Sequence, residues 1–225
     1  MNLLNALLLY NENFLEKKIN KQAKTQPKTA LLLLAAGSSS RTVNFNKLSR
    51  KLNGVPLLTH CYNAIKHSKV DQIVIIASKE NCQQAMSLSS PRPDVSLLDS
   101  KSEGLGQSIS HGMNHLHKDV SSVIICLSDT PLISTMHIDL LINSNKVSNY
   151  RGIHRIYDMN GNPGHPVLFN KEFFLGLSRL QFDKDPINLV NKNKELIHKI
   201  KVNNLSPTTD LDTAKDWLIF ETNKL

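Results

Sequence analysis

The sequence has few aromatic residues, few cysteines and no long hydrophobic run. Aromatics make up 5% of the 225 residues, and the lysines and arginines are dispersed, which argues against nucleic acid as the main ligand. The three cysteines, Cys61, Cys82 and Cys126, form no CxxC pair, so we expect reduced thiols and a cytoplasmic protein. A membrane-spanning helix needs roughly 18 consecutive apolar residues. No segment of this chain has them, so we expect no membrane span.

Residues 1–28 differ from the rest of the chain in composition. Leucines recur at helical spacing near the start, and a polar, lysine-rich stretch follows. The first ten residues look like the apolar part of a signal peptide, but they lack a basic start and a small-residue cleavage site. We therefore predict a helical, basic extension over residues 1–28, packed on the domain or on a second copy, and one domain over residues 29–225. The net charge of +8 suits a polyanionic ligand such as a triphosphate.

From residue 29 onward, apolar runs of strand length alternate with stretches of helical periodicity. Residues 30–36 are wholly apolar, which is typical of a strand covered on both faces. Further strands are expected at residues 72–77, 95–98, 123–127, 152–157, 166–169 and 196–202, and helices at 56–67, 80–86, 107–117, 135–143, 171–179, 187–191 and 213–221. This alternation predicts an α/β three-layer sandwich with a mostly parallel, Rossmann-like sheet. Ligands of such sheets bind beyond the carboxyl ends of the strands.

A loop of small residues and cations follows the first predicted strand. Exposed N–H groups and hydroxyls of small residues can surround phosphate oxygens, while Arg41 offers a planar fork and Lys47 a point charge. The alternative is a flexible serine loop with solvated cations. The predicted phosphate-binding set is Ala35, Ala36, Gly37, Ser38, Ser39, Ser40, Arg41 and Lys47.

A glycine-containing turn precedes the helix predicted at 107–117. Gly104 and Gly106 open it, but Ile109 stands where a dinucleotide fingerprint needs Gly or Ala, so the fingerprint is incomplete. Glycines at a helix start still permit close approach of a nucleotide to the backbone. The alternative is a plain turn between a strand and a helix.

Carboxylates stand at two positions where a hard cation could bind. Asp129 follows the strand at 123–127 directly and precedes Pro131, and Asp210 and Asp212 stand two residues apart before the last helix. Carboxylate oxygens are the ligands that Mg²⁺ prefers. Helix capping is the alternative for Asp129 and a strong one for Asp212.

The histidines allow two interpretations. His111, His115 and His117 lie together on a predicted helix, where a polar helix face is favoured over a zinc pair. His165 belongs to an Asn-Pro-Gly-His-Pro segment, residues 162–166, which we expect to form a restricted turn that aims the imidazole into a cleft.

These segments occur together, and in the same order, in the molybdenum-cofactor nucleotidyltransferases, which the chain resembles from about residue 28 to 217. The family opening LAAGxSxR, followed by Lys, is similar to residues 34–41 with Lys47. Its NKLL…GxPLL is similar to residues 46–58 and its GMGxSLxxG to residues 104–112. Its LGDMP resembles residues 127–131, its GHPVLF is identical to residues 164–169, and its DIDTPED resembles residues 210–216.

The resemblance is strongest to the cytidylyltransferase branch. Guanylyltransferases of the family usually read LAGG where this chain has LAAG at residues 34–37, and GHPVLF is a cytidylyl-branch feature. The chain departs from the family pattern at Thr42 and Val43, where Met-Gly is usual, and at Ser128 and Ala214, which replace Gly and Pro. None of these departures removes a charged group of the motifs.

The resemblance implies a nucleotide-diphospho-sugar transferase-like fold and transfer of CMP from CTP to molybdopterin, with release of pyrophosphate. It implies Mg²⁺ bound by Asp129 with Asp212 or Asp210, and Arg41 and Lys47 as catalytic cations. Gly104, Gly106 and Ser108 would bind the nucleotide, and His165 would lie on the acceptor side. A molybdoenzyme or its maturation chaperone would be the protein partner. Three alternatives stay open: another NTP or another phosphorylated acceptor, a non-catalytic cofactor-binding relative, and a nucleic-acid binder.

Overall fold

A computed structural model describes residues 26–37, 46–89, 91–98 and 104–223 of the chain. The strands are β1 (Lys28–Ala35), β2 (Lys51–Leu52), β3 (Val55–Pro56), β4 (Gln72–Ala77), β5 (Asp94–Leu97), β6 (Val120–Leu127), β7 (Ile153–Tyr157), β8 (Pro163–Asn170) and β9 (Ile197–Lys201). The α-helices are α1 (Leu57–Ile65), α2 (Lys79–Met86), α3 (Leu105–Met113), α4 (Thr135–Val147), α5 (Phe174–Leu177), α6 (Asp185–Asn191) and α7 (Ala214–Asn223).

Seven of these strands form one sheet in the order β5-β4-β1-β6-β8-β7-β9. The strands β5, β4, β1 and β6 are parallel to one another, and β7 is parallel to β9. Of these seven, only β8 is antiparallel to its neighbours, β6 and β7. The sheet is therefore mostly parallel, as predicted, and its carboxyl-terminal edge collects the ends of β1, β4, β6 and β7 together with the start of β8.

The apolar runs of the central strands form strands because both faces of the sheet are covered. Every residue from 30 to 35 is at most 6% exposed, and successive side chains alternate between two cores. Leu31 and Leu33 pack with Tyr62 and Trp217 on the face covered by α1, α2, α4 and α7, which we name the α1 face. Leu32 packs with residues of α3, α5 and α6 on the opposite face, the α3 face. This is the predicted three-layer α/β sandwich.

The structure corrects several predicted elements. A hairpin of β2 and β3, which the sequence pattern does not predict, turns at Asn53 and Gly54. The helix expected at 171–179 is a 3₁₀ turn followed by the single short helix α5, and the helix expected to reach residue 117 ends at Met113. His165 lies inside β8 and not in a turn, because β8 continues to Pro163, which pairs with Tyr157.

Among the described helices, none combines the length and the apolar character needed to cross a membrane.

Candidate active site

A lysine lies between two carboxylates at the carboxyl-terminal edge of the sheet. The Nζ of Lys47 is 2.6 Å from Asp129 Oδ2 and 2.6 Å from Asp212 Oδ1. The side chains of Lys47 and Asp129 are each 16% exposed, whereas that of Asp212 is 39% exposed. Because the pair of Lys47 and Asp129 is largely shielded from water, its charges interact more strongly than those of a surface ion pair.

The position of Asp129 is fixed by the two hydroxyl residues beside it. The hydroxyl of Ser128 donates to the carbonyl of Leu34 at 2.7 Å, which ties the end of β6 to the end of β1. The hydroxyl of Thr130 donates to the carbonyl of Leu127 at 2.9 Å. Asp129 is not the cap of the following helix, because Ser134 caps α4 together with His137. The capping alternative for Asp129 is therefore wrong.

The segment with Asp210 and Asp212 is attached to Asp129 by its backbone. The amide of Leu211 donates to the carbonyl of Asp129 at 3.0 Å, and the Leu211 side chain is fully buried. Because side chains of an extended segment alternate, the carboxylates of Asp210 and Asp212 face away from the core.

The cap of the last helix lies one residue beyond Asp212. The amide and hydroxyl of Thr213 donate to Asp216 Oδ2 at 2.6 and 2.7 Å, and the amide of Asp216 donates back to the Thr213 hydroxyl at 3.2 Å. The prediction that Asp212 could be an N-cap is thus corrected, and the Asp212 carboxylate bonds to Lys47 instead.

Two asparagines that the sequence motifs do not single out as site residues hold the segment that carries Lys47. The buried side chain of Asn81 donates to the carbonyl of Ala35 at 2.9 Å, and Asn46 Nδ2 donates to Asn81 Oδ1 at 2.7 Å. Asn46 Oδ1 also accepts from the amide of Leu48 at 3.0 Å and so begins the 3₁₀ turn that contains Lys47. An asparagine before a lysine is a signal for such a cap, whereas nothing around Asn81 in the sequence indicates its role.

The charges of the site shift the pKa values of its own side chains. Burial opposes the charged form of Lys47, but Asp129 and Asp212 outweigh it and raise the pKa of this lysine. Partial burial, with the charges of Asp212 and Asp129, raises the pKa of Asp210. Asp129 Oδ1 is buried and has no hydrogen-bond partner among the described residues. Within the same part of the chain, no three His, Cys, Asp or Glu side chains are grouped closely enough to form a complete metal site.

His165 lies at the start of β8, on the side of the sheet edge next to Asp129. Burial, together with the nearby charge of Arg155, lowers the pKa of its imidazole to about 4, against the Ile125 backbone and the charge of Asp129, which raise it. The imidazole is therefore neutral at pH 7. Its Nδ1 atom is buried without a hydrogen-bond partner among the described residues, so it is available to a ligand group.

The structure gives Gly106 and Ser108 roles in internal packing. A Cβ on Gly106 would lie 2.4 Å from the carbonyl oxygen of Phe182, and the Ser108 hydroxyl is buried and donates to the carbonyl of Gly104 at 2.9 Å. The amide of Leu105 at the start of α3 donates to Asp183 Oδ1 at 2.8 Å. These contacts fix the start of α3, and the expectation that Gly106 and Ser108 touch the base or ribose stays a prediction. Gly104, with φ of +114°, is half-buried at the edge.

The loop predicted to bind phosphate is described only at its beginning. Ala35 is buried and ends β1, and Ala36 is half-buried. Gly37 is exposed, and no described atom lies within 4 Å of a Cβ built on it. Ser38, Ser39, Ser40 and Arg41 lie outside the described residues, as does most of the predicted extension, residues 1–25. Their roles stay predictions.

Two of the helix histidines form a polar cluster with Ser96 of β5. The Nε2 atoms of His111 and His115 each lie 2.8 Å from the Ser96 hydroxyl. His117 follows the end of α3. The described residues contain no carboxylate or cysteine grouped with them into a metal site.

Known proteins are similar to this chain in their domain family and in their fold. The family model described as "MobA-like NTP transferase domain" matches residues 31–197. Rv0371c from Mycobacterium tuberculosis has a similar structure, with a TM-score of 0.75 and 21% identity over 86% of this chain and 97% of that chain. A complex of Rv0371c with manganese gives a TM-score of 0.71 and 20% identity over 85% of this chain and 96% of that chain.

A third similar structure contains a nucleotide. It is CMP:2-keto-3-deoxy-manno-octonic acid synthetase in complex with CTP, with a TM-score of 0.67 and 11% identity over 88% of this chain and all of that chain. At these identities the structural matches establish the shared fold.

Proposed function

Because the chain belongs to the MobA-like NTP transferase domain family, we propose that it is a nucleotidyltransferase that moves CMP from CTP to a molybdopterin-type acceptor and releases pyrophosphate. The observation that carries this proposal is the contact of Lys47 with both Asp129 and Asp212 at the end of the central strand β6. The contact supports the proposal because phosphate oxygens need a cation and a metal ion needs carboxylate ligands, and Lys47, Asp129 and Asp212 would supply both.

Transfer of a nucleotidyl group makes specific demands on its site. The attacking oxygen, the α-phosphorus and the leaving pyrophosphate must be aligned, and negative charge must be neutralised, while no side chain needs to act as a nucleophile. Lys47 meets the second demand, since its carboxylate neighbours keep it charged across the neutral pH range. Together with Arg41 and the backbone amides of residues 37–40, it would hold the triphosphate and stabilise charge at the α-phosphorus.

The carboxylates fit a divalent metal ion. Asp129 Oδ1 is buried and unpartnered among the described residues, and such an oxygen suits a hard cation. Asp129 and Asp212 would hold Mg²⁺, with Asp210 as the alternative second ligand, and the ion would supply positive charge that neutralises the phosphates. The manganese complex of Rv0371c supports a divalent metal in this fold.

The chemical step follows from these assignments. An oxygen of the acceptor's terminal phosphate attacks the α-phosphorus of CTP and forms a new P–O bond. The bond between the α-phosphorus and the bridging oxygen breaks on the opposite side, and pyrophosphate leaves with the electron pair. His165 lies beside Asp129 and stays neutral at pH 7, so it would orient the acceptor by hydrogen bonding and would not neutralise its charge.

The choice of CTP and molybdopterin rests on two kinds of support. The CTP complex of the synthetase shows that this fold accommodates the nucleotide, and residues 34–37 and 164–169 resemble the cytidylyltransferase branch. Ala36 adds a Cβ at the strand end where guanylyltransferases have Gly, but a methyl group discriminates by only about 1–3 kcal/mol. Most of the base selectivity must therefore come from hydrogen bonds to the base edge.

The test measures pyrophosphate release with each of the four NTPs, with and without molybdopterin. We expect release to require both CTP and the acceptor, with a product that carries CMP. Preferential incorporation of GMP would contradict the cytidylyl assignment and keep the nucleotidyltransferase assignment. Release that is equal with and without molybdopterin would contradict the proposed acceptor.

A further inference from the structure

The α3 face changes character across β6, β8, β7 and β9. Residues at the same level of these strands pair as Ile125 with Val167, Val167 with Arg155, and Arg155 with Lys199. Ile125 and Val167 are buried and apolar, whereas Arg155 is half-buried and Lys199 is exposed. On the α3 face, the apolar core therefore extends as far as β8, and two cations follow it on β7 and β9 at this level of the sheet.

The guanidinium of Arg155 is held in a fixed orientation over β8. Its Nε donates to the carbonyl of Gly164 at 3.1 Å, and its Nη2 lies 3.5 Å from the carbonyl of Pro163. Both carbonyls belong to the start of β8, which lies between β7 and β6. The head group therefore points from β7 over β8, in the direction of β6. Among the described residues, its other N–H groups have no hydrogen-bond partner beyond these two carbonyls.

No carboxylate in the described part of the chain neutralises this arginine. The ion pairs formed by the described residues do not include Arg155, Lys199 or Lys201. Burial even lowers the pKa of Arg155, and only the neighbouring Tyr157 raises it. Keeping a half-buried cation without a counter-ion costs folding free energy, which an anionic ligand would offset.

The arginine is also close to the proposed centre of the reaction. The charges of Arg155 and Asp129 both act on His165, the first lowering and the second raising the pKa of its imidazole. His165 therefore lies within electrostatic range of both the Asp129 carboxylate and the Arg155 guanidinium. A group bound by Arg155 would lie at the same sheet edge as the triphosphate.

We propose that Arg155 binds the terminal phosphate of the acceptor and presents its oxygen to the α-phosphorus, with Lys199 attracting the anion from the adjacent strand. This inference rests on the proposed function and assigns the acceptor class, a phosphate monoester or diphosphate, to a residue outside the family motifs. A guanidinium fork fits phosphate oxygens in a bidentate way that a lysine does not reproduce.

The kinetic test compares Arg155→Met, Arg155→Lys and the control Arg151→Met, which removes the same charge from an exposed position just before β7. Loss of a charge-assisted phosphate contact should raise the acceptor KM by about tenfold to a hundredfold, with the CTP KM unchanged. Arg155→Lys should be intermediate, and the control should match the wild type. A folded Arg155→Met variant with a wild-type acceptor KM would overturn the proposal, as would an equal rise in both KM values.

A binding test separates this inference from the identity of the acceptor. The probe is inorganic phosphate, titrated into the ¹⁵N-labelled full chain and into Arg155→Met. We expect amide shifts at Arg155, Gly164 and His165 in the wild type, and their loss in the variant. Shifts confined to residues 37–47, or equal shifts at β7 and β8 in the variant, would overturn the phosphate assignment. If no NTP supports transfer to molybdopterin, the proposed function fails, and this titration still decides the role of Arg155.

Discussion

At the amino-terminal edge of the sheet, charged side chains meet opposite charges or hydrogen-bond donors, whereas at the carboxyl-terminal edge positive and negative side chains are unevenly matched. Lys28 pairs with Asp119 at 2.6 Å, and Asp71 accepts from the amide of Thr29 at 2.8 Å. At the opposite edge, Asp129 and Asp212 share one lysine. Arg155, whose charge also acts on His165, forms no ion pair with a described carboxylate.

We infer from this difference that the side chains of the amino-terminal edge serve stability, whereas those of the carboxyl-terminal edge serve function. At the amino-terminal edge, the charged side chains find their partners within the folded chain, so no ligand is needed to balance their charges. Adjacent carboxylates and an unneutralised arginine cost folding free energy, and proteins keep such arrangements mainly where a ligand completes them. The comparison predicts that equivalent substitutions at the two edges have very different effects on turnover.

The largest effect is expected at Asp129. Asp129→Ala removes a proposed metal ligand from a loop and should lower kcat by roughly a thousandfold or more. The variant should still fold, with a lower melting temperature because Lys47 loses its shielded partner. The matched control, Asp119→Ala at the other edge, should leave turnover near the wild-type value. Pyrophosphate release and melting curves measure both. Near-normal turnover of folded Asp129→Ala would show that the metal assignment is wrong.

The next largest effect is expected at Lys47. Lys47→Met removes the proposed triphosphate cation and should lower kcat/KM for CTP by about a hundredfold, whereas Lys28→Met should change it little. Titration of nucleotide separates loss of ground-state binding from loss at the transition state. Binding of Mn²⁺ without nucleotide should not weaken, because the two carboxylates remain. If Lys47→Met and Lys28→Met changed kcat/KM for CTP equally, the proposed functional difference between the two edges would be wrong.

A moderate effect on stability is expected from His154, a fully buried histidine on the α1 face. Burial, together with His198, lowers the pKa of its imidazole to about 4, against the Arg151 backbone, which raises it, while the unfolded chain keeps a value near 6.5. The unfolded state binds more protons between these values, so stability is present above pH 6.5 and is lost as the pH falls toward 4. This histidine should contribute a loss of about 2 kcal/mol at pH 5.

Urea denaturation at pH 7 and pH 5 measures this contribution. The change in unfolding free energy between the two pH values should be smaller in His154→Asn than in the wild type. His165 should contribute similarly, because its pKa is also about 4. Unlike His154, which bonds to Ser144 through Nδ1 at 2.8 Å, it should also affect the acceptor KM. An unchanged pH dependence in His154→Asn would contradict burial of this imidazole as a source of the acid sensitivity.

The smallest effect is expected from removing the extension. Deletion of residues 1–27 leaves β1 and all proposed site residues in place, so kcat and KM should change by no more than about twofold. Solubility or self-association should be lost before activity, as measured by gel filtration beside the pyrophosphate assay. A folded but inactive truncation would show that the extension reaches the site and that the catalytic unit is not residues 29–225 alone.

Much of the nucleotide side of this edge could be predicted because its signals are local. Continuous apolar runs indicate β1 and β6, and Asp129 follows β6 directly in the sequence. Since carboxyl ends of parallel strands meet at one edge, Lys47 and Asp129 could be expected near each other. The resemblance joined Asp129 with Asp212 or Asp210 as metal ligands, but it did not predict the contact of Lys47 with Asp212, which lies 165 residues further along the chain.

The acceptor side could not be predicted in the same way. Arg155 reaches the start of β8 because β8 lies antiparallel between β6 and β7. Hydrophobic periodicity in the sequence does not predict the order of strands in a sheet. Asn, Gly and Pro around His165 predict a turn, but pairing of β8 with β7 extends the strand beyond its apolar run. The hairpin at Asn53 carries a turn signal, yet its strands are too short to show periodicity.

The most direct test of the central claim follows the α-phosphate. The full chain is incubated with CTP labelled at the α-phosphorus, a divalent metal and molybdopterin, and the label is located after separation. We predict that the label joins the acceptor as CMP in step with pyrophosphate release, and that Asp129→Ala transfers none. Recovery of all label in unreacted CTP or in free CMP, with a folded wild-type protein, would contradict nucleotidyl transfer at this site.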